Sequence, residues 1–208
     1  MQLTFKKYRT IDLVLFAVLL CIFETVCVVV ANKWIDAGLF TVSITYAILA
    51  IVYMRWNAFG IIHAILGGFV YALVYRLCGS DVGVKEYAMY IVGNLFTAIS
   101  LVLFKIIGKQ KIRDNIFLSL LFAITVYILA HVGRATVALI YQKGFLLLSF
   151  ISSDVVSLLF TCLAVFITRR LDGMFEDQKT YLFRQERERK EQNSDGYEGR
   201  PIEPKNKK

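Results

Sequence analysis

The sequence predicts an all-α integral membrane protein, a bundle of six transmembrane helices with both termini cytoplasmic, followed by a short amphipathic cytoplasmic helix and a disordered tail. Three observations carry this reading. Of 208 residues, 57% are hydrophobic, 19% are charged and only two are proline. Apolar runs close to the ~20 residues that cross a bilayer recur along most of the chain. Lys and Arg are distributed unevenly between the alternate sides of those runs. Such a composition excludes a disordered chain, a disulfide-rich secreted module and a nucleic-acid-binding domain. The formal charge of +8 is assigned to loops and tail, where basic residues set membrane orientation.

The first apolar run, 11–31, follows Lys6, Lys7 and Arg9 and ends at Val29-Val30-Ala31, an outline shared with signal peptides. It is longer than a signal-peptide core and carries Asp12 and Glu24, so a permanent helix is expected. Further helices are expected at 38–54, 57–76, 86–107, 115–138 and 145–168. The breaks between them are brief, Arg55-Trp56 being the shortest, so consecutive helices are antiparallel neighbours in one bundle. The side holding the N-terminus, Arg55, the Lys105–Arg113 loop and everything from Arg169 onward carries all but five of the 24 basic residues. The five opposite are Lys33, Arg76, Lys85, Arg134 and Lys143, which makes both termini cytoplasmic. Residues 1–170 form the transmembrane domain and 171–208 the cytoplasmic segment. In the latter, Phe175, Leu182 and Phe183 among charged residues suggest the amphipathic helix, and Asn193 to Lys208 the disordered tail.

A charge inside a membrane helix costs about 2.5–3.5 kcal/mol on insertion scales and therefore implies a partner or a purpose. Glu24 lies about two-thirds along the first helix, Arg134 near the outer end of the fifth, and Asp154 roughly nine residues into the sixth. His131 shares the face of Arg134 three residues on, and Asn94 reaches the same depth from the fourth helix. One guanidinium cannot neutralise two carboxylates and also account for His131 and Asn94, so the set points to a binding site in the outer half of the bundle. With two carboxylates against one guanidinium, the sum favours a neutral or cationic heterocyclic ligand. The outer level is also aromatic, through Trp34, Phe40, Tyr71, Tyr75, Tyr87, Tyr90, Tyr141 and Phe145. Most of these fit an interfacial belt, while some could line a pocket. On the third helix Gly60, Ala64, Gly68 and Ala72, with Gly67 beside them, form a smooth stripe. Such a stripe suits either an internal helix or a contact with another subunit. His63 reads as a core histidine.

No phosphate-binding Gly-rich loop, HExxH or GxSxG occurs, and the His, Cys and carboxylate spacings form no metal set. Cys21, Cys27 and Cys162 sit in apolar stretches and Cys78 in a loop, leaving no exposed pair to bridge. The expectation is a protein that is not an enzyme and carries no metal or cofactor.

The pattern resembles the substrate-binding S components of energy-coupling factor (ECF) transporters, the vitamin-uptake systems of bacteria. The resemblance spans about residues 10–170 and rests on six short-looped helices, cytoplasmic termini, Met54-Arg55-Trp56, Gly67-Gly68 and the Tyr90-Ile91-Val92-Gly93-Asn94 segment. It implies a multi-pass protein of the bacterial plasma membrane that captures a vitamin-like small molecule from outside and reorients to release it inside. Separate ATPase subunits would act through a transmembrane scaffold subunit. It further implies a ligand near Trp34, Tyr87, Asn94, His131, Arg134 and Asp154, with Glu24 at the same level. S components dock through small residues spaced by four on the first helix; here the nearest match is Ala17 and Cys21, while the Gly60, Ala64, Gly68 and Ala72 stripe is a further candidate docking face on which the resemblance is silent. The alternative is a non-transporting membrane anchor or assembly subunit that recruits a partner through its cytoplasmic tail.

Overall fold

The structure, a computed structural model, describes residues 5–34, 40–141, 144 and 146–198, without the side chains of Trp34 and of residues 192–198. All regular structure among these residues is helical. The elements are α1 (Phe5–Trp34), α2 (Thr45–Trp56), α3 (Gly60–Leu77), α4 (Val84–Leu95), α5 (Val102–Ile106), α6 (Lys109–Asp114), α7 (Ile116–Ile140), α8 (Leu147–Ser153), α9 (Val155–Thr168) and α10 (Gln178–Glu198). A 3₁₀ stretch, Phe96–Leu101, joins α4 to α5.

Four helical stretches among the described residues are long and apolar enough to cross a membrane: Phe5–Lys33, Thr45–Leu77, Val84–Ile106 and Ile116–Ile140. The pair α8 and α9, bent by 63°, makes a fifth. The second stretch is folded in two. A Cβ added at Gly60 would stand 2.5 Å from the Tyr53 ring, and one at Gly67 2.5 Å from the Thr45 side chain. These two contacts at opposite ends of α2 place it antiparallel to α3. The reversal occurs at Asn57, whose φ of +56° lies in a region that side chains rarely adopt.

α2 is the centre of the bundle. It packs against α1, α3, α7 and α9, while α1 lies on α3, α3 on α4, α4 on α7 and α7 on α9. All twelve α2 residues are buried. At 12 residues it is only about 18 Å long, short of a full crossing. The helix expected at 38–54 therefore begins late, at Thr45. Before it, Thr41 N–H donates to Ser153 O at 2.8 Å and Ser43 N–H to Ser157 Oγ at 2.7 Å, which hold residues 41–43 against the junction of α8 and α9.

On α1 the inward face is Phe16, Leu20, Glu24, Val28 and Ala31, spaced by about one turn, and Ile11, Val14, Leu15, Val18, Ile22 and Val26 are exposed. An apolar outer surface on a long helix is what hydrocarbon requires. The crossing of α4 and α7 is set by two glycines: a Cβ at Gly93 would stand 2.5 Å from Arg134 Cγ, and one at Gly133 2.6 Å from Gly93 O. A Cβ at Gly68 would likewise meet Tyr90 O at 2.6 Å, which fixes α3 against α4.

At one end of the bundle, here the basic end, Arg55 ties three segments together. Its Nε and Nη2 donate to Asp12 at 2.9 and 2.8 Å, and Nη1 donates to Gly173 O and Met174 O. Trp56 Nε1 also donates to Asp12. Phe175 is 1% exposed and belongs to the central core, and Gln178 Nε2 donates to Gly173 O at 2.6 Å. Residues 173–178 thus form a strap across the basic end, and buried contacts cross the domain boundary expected at 170. Phe175 precedes α10 and so is not part of an amphipathic face. On α10 itself Phe183 is 63% exposed. The helix runs on to Glu198, beyond the expected start of the tail at Asn193; residues 199–208 lie outside the described residues.

Candidate functional site

The interior polar set lies toward the end opposite the strap. Glu24, Asn94, His131, Arg134 and Asp154 are each at most 4% exposed. They come from α1, α4, α7 and the α8–α9 junction, and the structure connects them through α2.

Glu24 faces the first residues of α2. Its Oε2 accepts from Ile44 N–H at 3.0 Å, Thr45 N–H at 3.0 Å and Thr45 Oγ1 at 2.9 Å. A carboxylate at a helix N-terminus satisfies amides that have no intrahelical partner and complements the helix dipole. Glu24 therefore works as the cap of a helix that starts inside the bundle, a role that its position in α1 does not reveal. Its Oε1 has no hydrogen-bond partner among the described residues.

Asp154 sits where the sixth expected helix breaks. Ser152 and Ser153 hydroxyls donate back to Ser149 O and Phe150 O, competing with the helical ladder just before the bend. The Asp154 carboxylate accepts from Tyr46 OH at 2.9 Å and from Ser157 Oγ, and His131 Nε2 lies 3.3 Å away. The two hydroxyls are its hydrogen-bond donors among the described residues, and neither ring nitrogen of His131 makes a hydrogen bond there.

Arg134 is less well served. Nη1 is 3.6 Å from Asp154 Oδ2, Nη2 reaches Asn94 Oδ1 at 3.5 Å, and Nε has no partner among the described residues. Three tyrosine rings surround the guanidinium, with centroids 4.8 Å (Tyr90), 5.5 Å (Tyr46) and 5.8 Å (Tyr71) from Cζ. Tyr75 stacks on Tyr71 at 5.9 Å. Arginine in an aromatic cage is favourable, but its five donors still ask for acceptors.

Beside Tyr71 and Tyr75 a cavity of about 10 Å³, lined also by Val28, Asn32, Thr41 and Val42, has room for about one water molecule. The interior is closed around the charged groups. The larger depression, about 590 Å³, lies at the basic end among Lys111, Asn115, Phe117 and Arg169, away from them.

The expected site residues divide accordingly. Asn94, His131, Arg134 and Asp154 come together, and Glu24 joins them through α2. Tyr87 packs on Phe69 with ring centroids 5.9 Å apart, outside the cage. The side chain of Trp34, and Phe145, lie outside the described residues. Tyr46 went unrecognised in the sequence because it reads there as one more apolar-helix aromatic. Tyr71 and Tyr90 stand in the cage although their positions also fit a membrane belt. Of the expected docking residues, Ala64 and Ala72 are fully buried, Gly60 meets Tyr53 and Gly68 meets Tyr90 and Ile91. That stripe is an internal packing face and offers no surface to another subunit. Ala17 and Cys21 on α1 are half-buried. His63 Nε2 lies 3.0 Å from Leu13 O, inside the packing between α1 and α3.

Outside the spans, a lysine clasps a carboxylate of the strap. Lys109 Nζ donates to Asp177 Oδ2 at 2.7 Å and to Met54 O at 2.9 Å. Burial pulls the ammonium below its ordinary value against the opposing attraction of Asp177. Burial also raises the Asp177 carboxyl, but the hydrogen bond and charge of Lys109, with the amides of Thr180 and Lys179, outweigh it and leave the group below its ordinary value.

Fold and interior together define a multi-helix membrane protein with a buried, closed polar centre. Comparison with protein-family models, curated proteins and solved structures finds no match to the chain.

Proposed function

We propose that the protein is the membrane-embedded substrate-capture subunit of an ATP-driven uptake transporter, taking a vitamin-like small heterocyclic molecule from outside the cell. In this reading the chain crosses a bacterial plasma membrane six times with both termini cytoplasmic, α2 and α3 being two legs of a hairpin. The basic end faces the cytoplasm and the end nearer Arg134 faces out. Transport energy comes from separate ATPase subunits through a transmembrane scaffold subunit, and the chain itself catalyses nothing.

The observation that carries the reading is Arg134. A guanidinium buried among apolar helices with its nearest carboxylate oxygen 3.6 Å away is poorly explained as a structural lock, since a lock of this kind is stable only when its geometry is good. It is better explained as a group held for something that enters. Discontinuous helices around the site, α2 starting inside the bundle and α8–α9 broken at Asp154, are the usual surroundings of a transported substrate.

Native mass spectrometry of the protein purified gently from its own host tests this. The expected result is a bound small molecule together with scaffold and ATPase chains. Protein without either, attached instead to some other partner, contradicts it.

The second reading, a membrane anchor that recruits a partner, is favoured by the strap, which holds α10 firmly to the basic end. Deletion of residues 179–208 leaves the strap in place. It abolishes function in the anchor reading and spares ligand retention in the capture reading.

A further inference from the structure

We infer that the captured molecule carries an oxyanion head, a carboxylate or a phosphate, on a planar aromatic body, and that Arg134 is the residue that holds the head. This rests on the capture reading above and names its substrate class. The residue count alone, two carboxylates against one guanidinium, points to a neutral or cationic ligand. The structure changes the sum, because the two carboxylates are not equivalent to the guanidinium in what they still lack.

Glu24 has three donors on one oxygen, two of them backbone amides at the start of α2, so its charge is met by the helix end it caps. Its other oxygen has no hydrogen-bond partner among the described residues. Asp154 holds the Tyr46 and Ser157 hydroxyls and has His131 close by. Arg134 alone of the three has no hydrogen bond shorter than 3.5 Å among the described residues, and its Nε has none. A guanidinium presents its donors as a rigid planar fork that matches two oxygens of one carboxylate or phosphate. The fork is walled by the faces of Tyr46, Tyr71 and Tyr90, surfaces on which a flat ring system packs well. Tyr71, one wall of the cage, also lines the small cavity that it shares with Tyr75.

The test uses the full-length protein in lipid nanodiscs and matched pairs of flat heteroaromatics that differ only in charge: nicotinate and nicotinamide, indole-3-acetate and indole-3-acetamide, pterin-6-carboxylate and pterin-6-carboxamide. Retention is read by native mass spectrometry over a concentration series. The expected result is that, for at least one pair, the acid is retained at concentrations about tenfold or more below the amide, the margin of a charge-assisted bidentate contact. Arg134→Lys, which keeps the charge and loses the fork, removes most of that margin, and Tyr87→Phe keeps it. Equal retention of acid and amide, or an unchanged margin in Arg134→Lys, overturns the anion inference and leaves capture standing. Failure to retain any acid, in protein that still carries a molecule from its host, also overturns it. Protein that carries no host molecule and retains no pair member overturns the capture reading itself.

Discussion

Truncating Glu24 to alanine removes the cap from α2 and tests whether this carboxylate serves the fold. The substitution leaves the partly buried Ile44 N–H without its acceptor. Thr45 N–H is better protected, because Ser43 Oγ also accepts from it at 3.2 Å, and the Thr45 hydroxyl can rotate. One fully orphaned amide and two weakened donors amount to about 2–3 kcal/mol, in the upper range for loss of a helix cap. For a chain of this size that lowers the apparent unfolding midpoint by roughly 5–10 °C. Glu24→Gln keeps an oxygen where Oε2 stands and is expected within about 1 kcal/mol of wild type. The assay is thermal unfolding of the purified protein in detergent, followed by intrinsic fluorescence, for the two variants and wild type. A Glu24→Ala midpoint equal to wild type, or a Glu24→Gln loss as large as that of Glu24→Ala, refutes the capping argument and returns Glu24 to the ligand set.

Other consequences follow from the same contacts. In Gly93→Ala the new methyl would stand 2.5 Å from Arg134 Cγ and 3.0 Å from Arg134 N. α4 and α7 must separate, with a loss of about 1–3 kcal/mol that the same thermal assay detects. Arg55→Ala leaves the largely buried Asp12 without its bidentate partner and frees the strap. An effect of about 3–5 kcal/mol is expected, with faster proteolysis after residue 170. The Asp177 clasp is acid-sensitive. Because the folded carboxyl lies below its ordinary value of 3.8, its contribution is present above that value and is lost as pH falls through the lowered folded value. The protection of the amides at the start of α10, taken relative to the intrinsic exchange rate at each pH, therefore falls at pH 3 relative to pH 6 in wild type, and in Asp177→Asn it is already low at pH 6.

The all-helical, strongly apolar character of the chain and the members of the polar set were legible in the sequence for one reason: in apolar helices a charge or an amide stands out, and helical spacing places it at a depth. The partners of those residues were not legible. Glu24 binds backbone amides of α2, which carry no side-chain signature, and the late start of α2 at Thr45 depends on contacts of residues 41–43 with Ser153 and Ser157. The break at Asp154 had a signal in Ser152-Ser153-Asp154, a run that competes with the helical ladder. Gly60 to Ala72 showed a smooth face correctly, but periodicity cannot say what lies against it; α2 and α4 do. Tyr46 was hidden among apolar neighbours because its role lies in one hydroxyl that reaches Asp154 at 2.9 Å. The strap was hidden by charge density, since Phe175 and Gln178 sit in a stretch that reads as solvated tail.

The central claim is that the buried polar centre exists for a ligand and not only to join helices. The most direct measurement is the unfolding midpoint of the protein as isolated from its host, after exhaustive removal of small molecules in detergent, and after the removed fraction is returned. A ligand present at ~100 times its Kd adds about 2.7 kcal/mol, or roughly 5–10 °C at this chain length. A fall of that size on removal, recovery on return, and no response in Arg134→Ala are expected. A midpoint that stays constant through all three steps in wild type contradicts it.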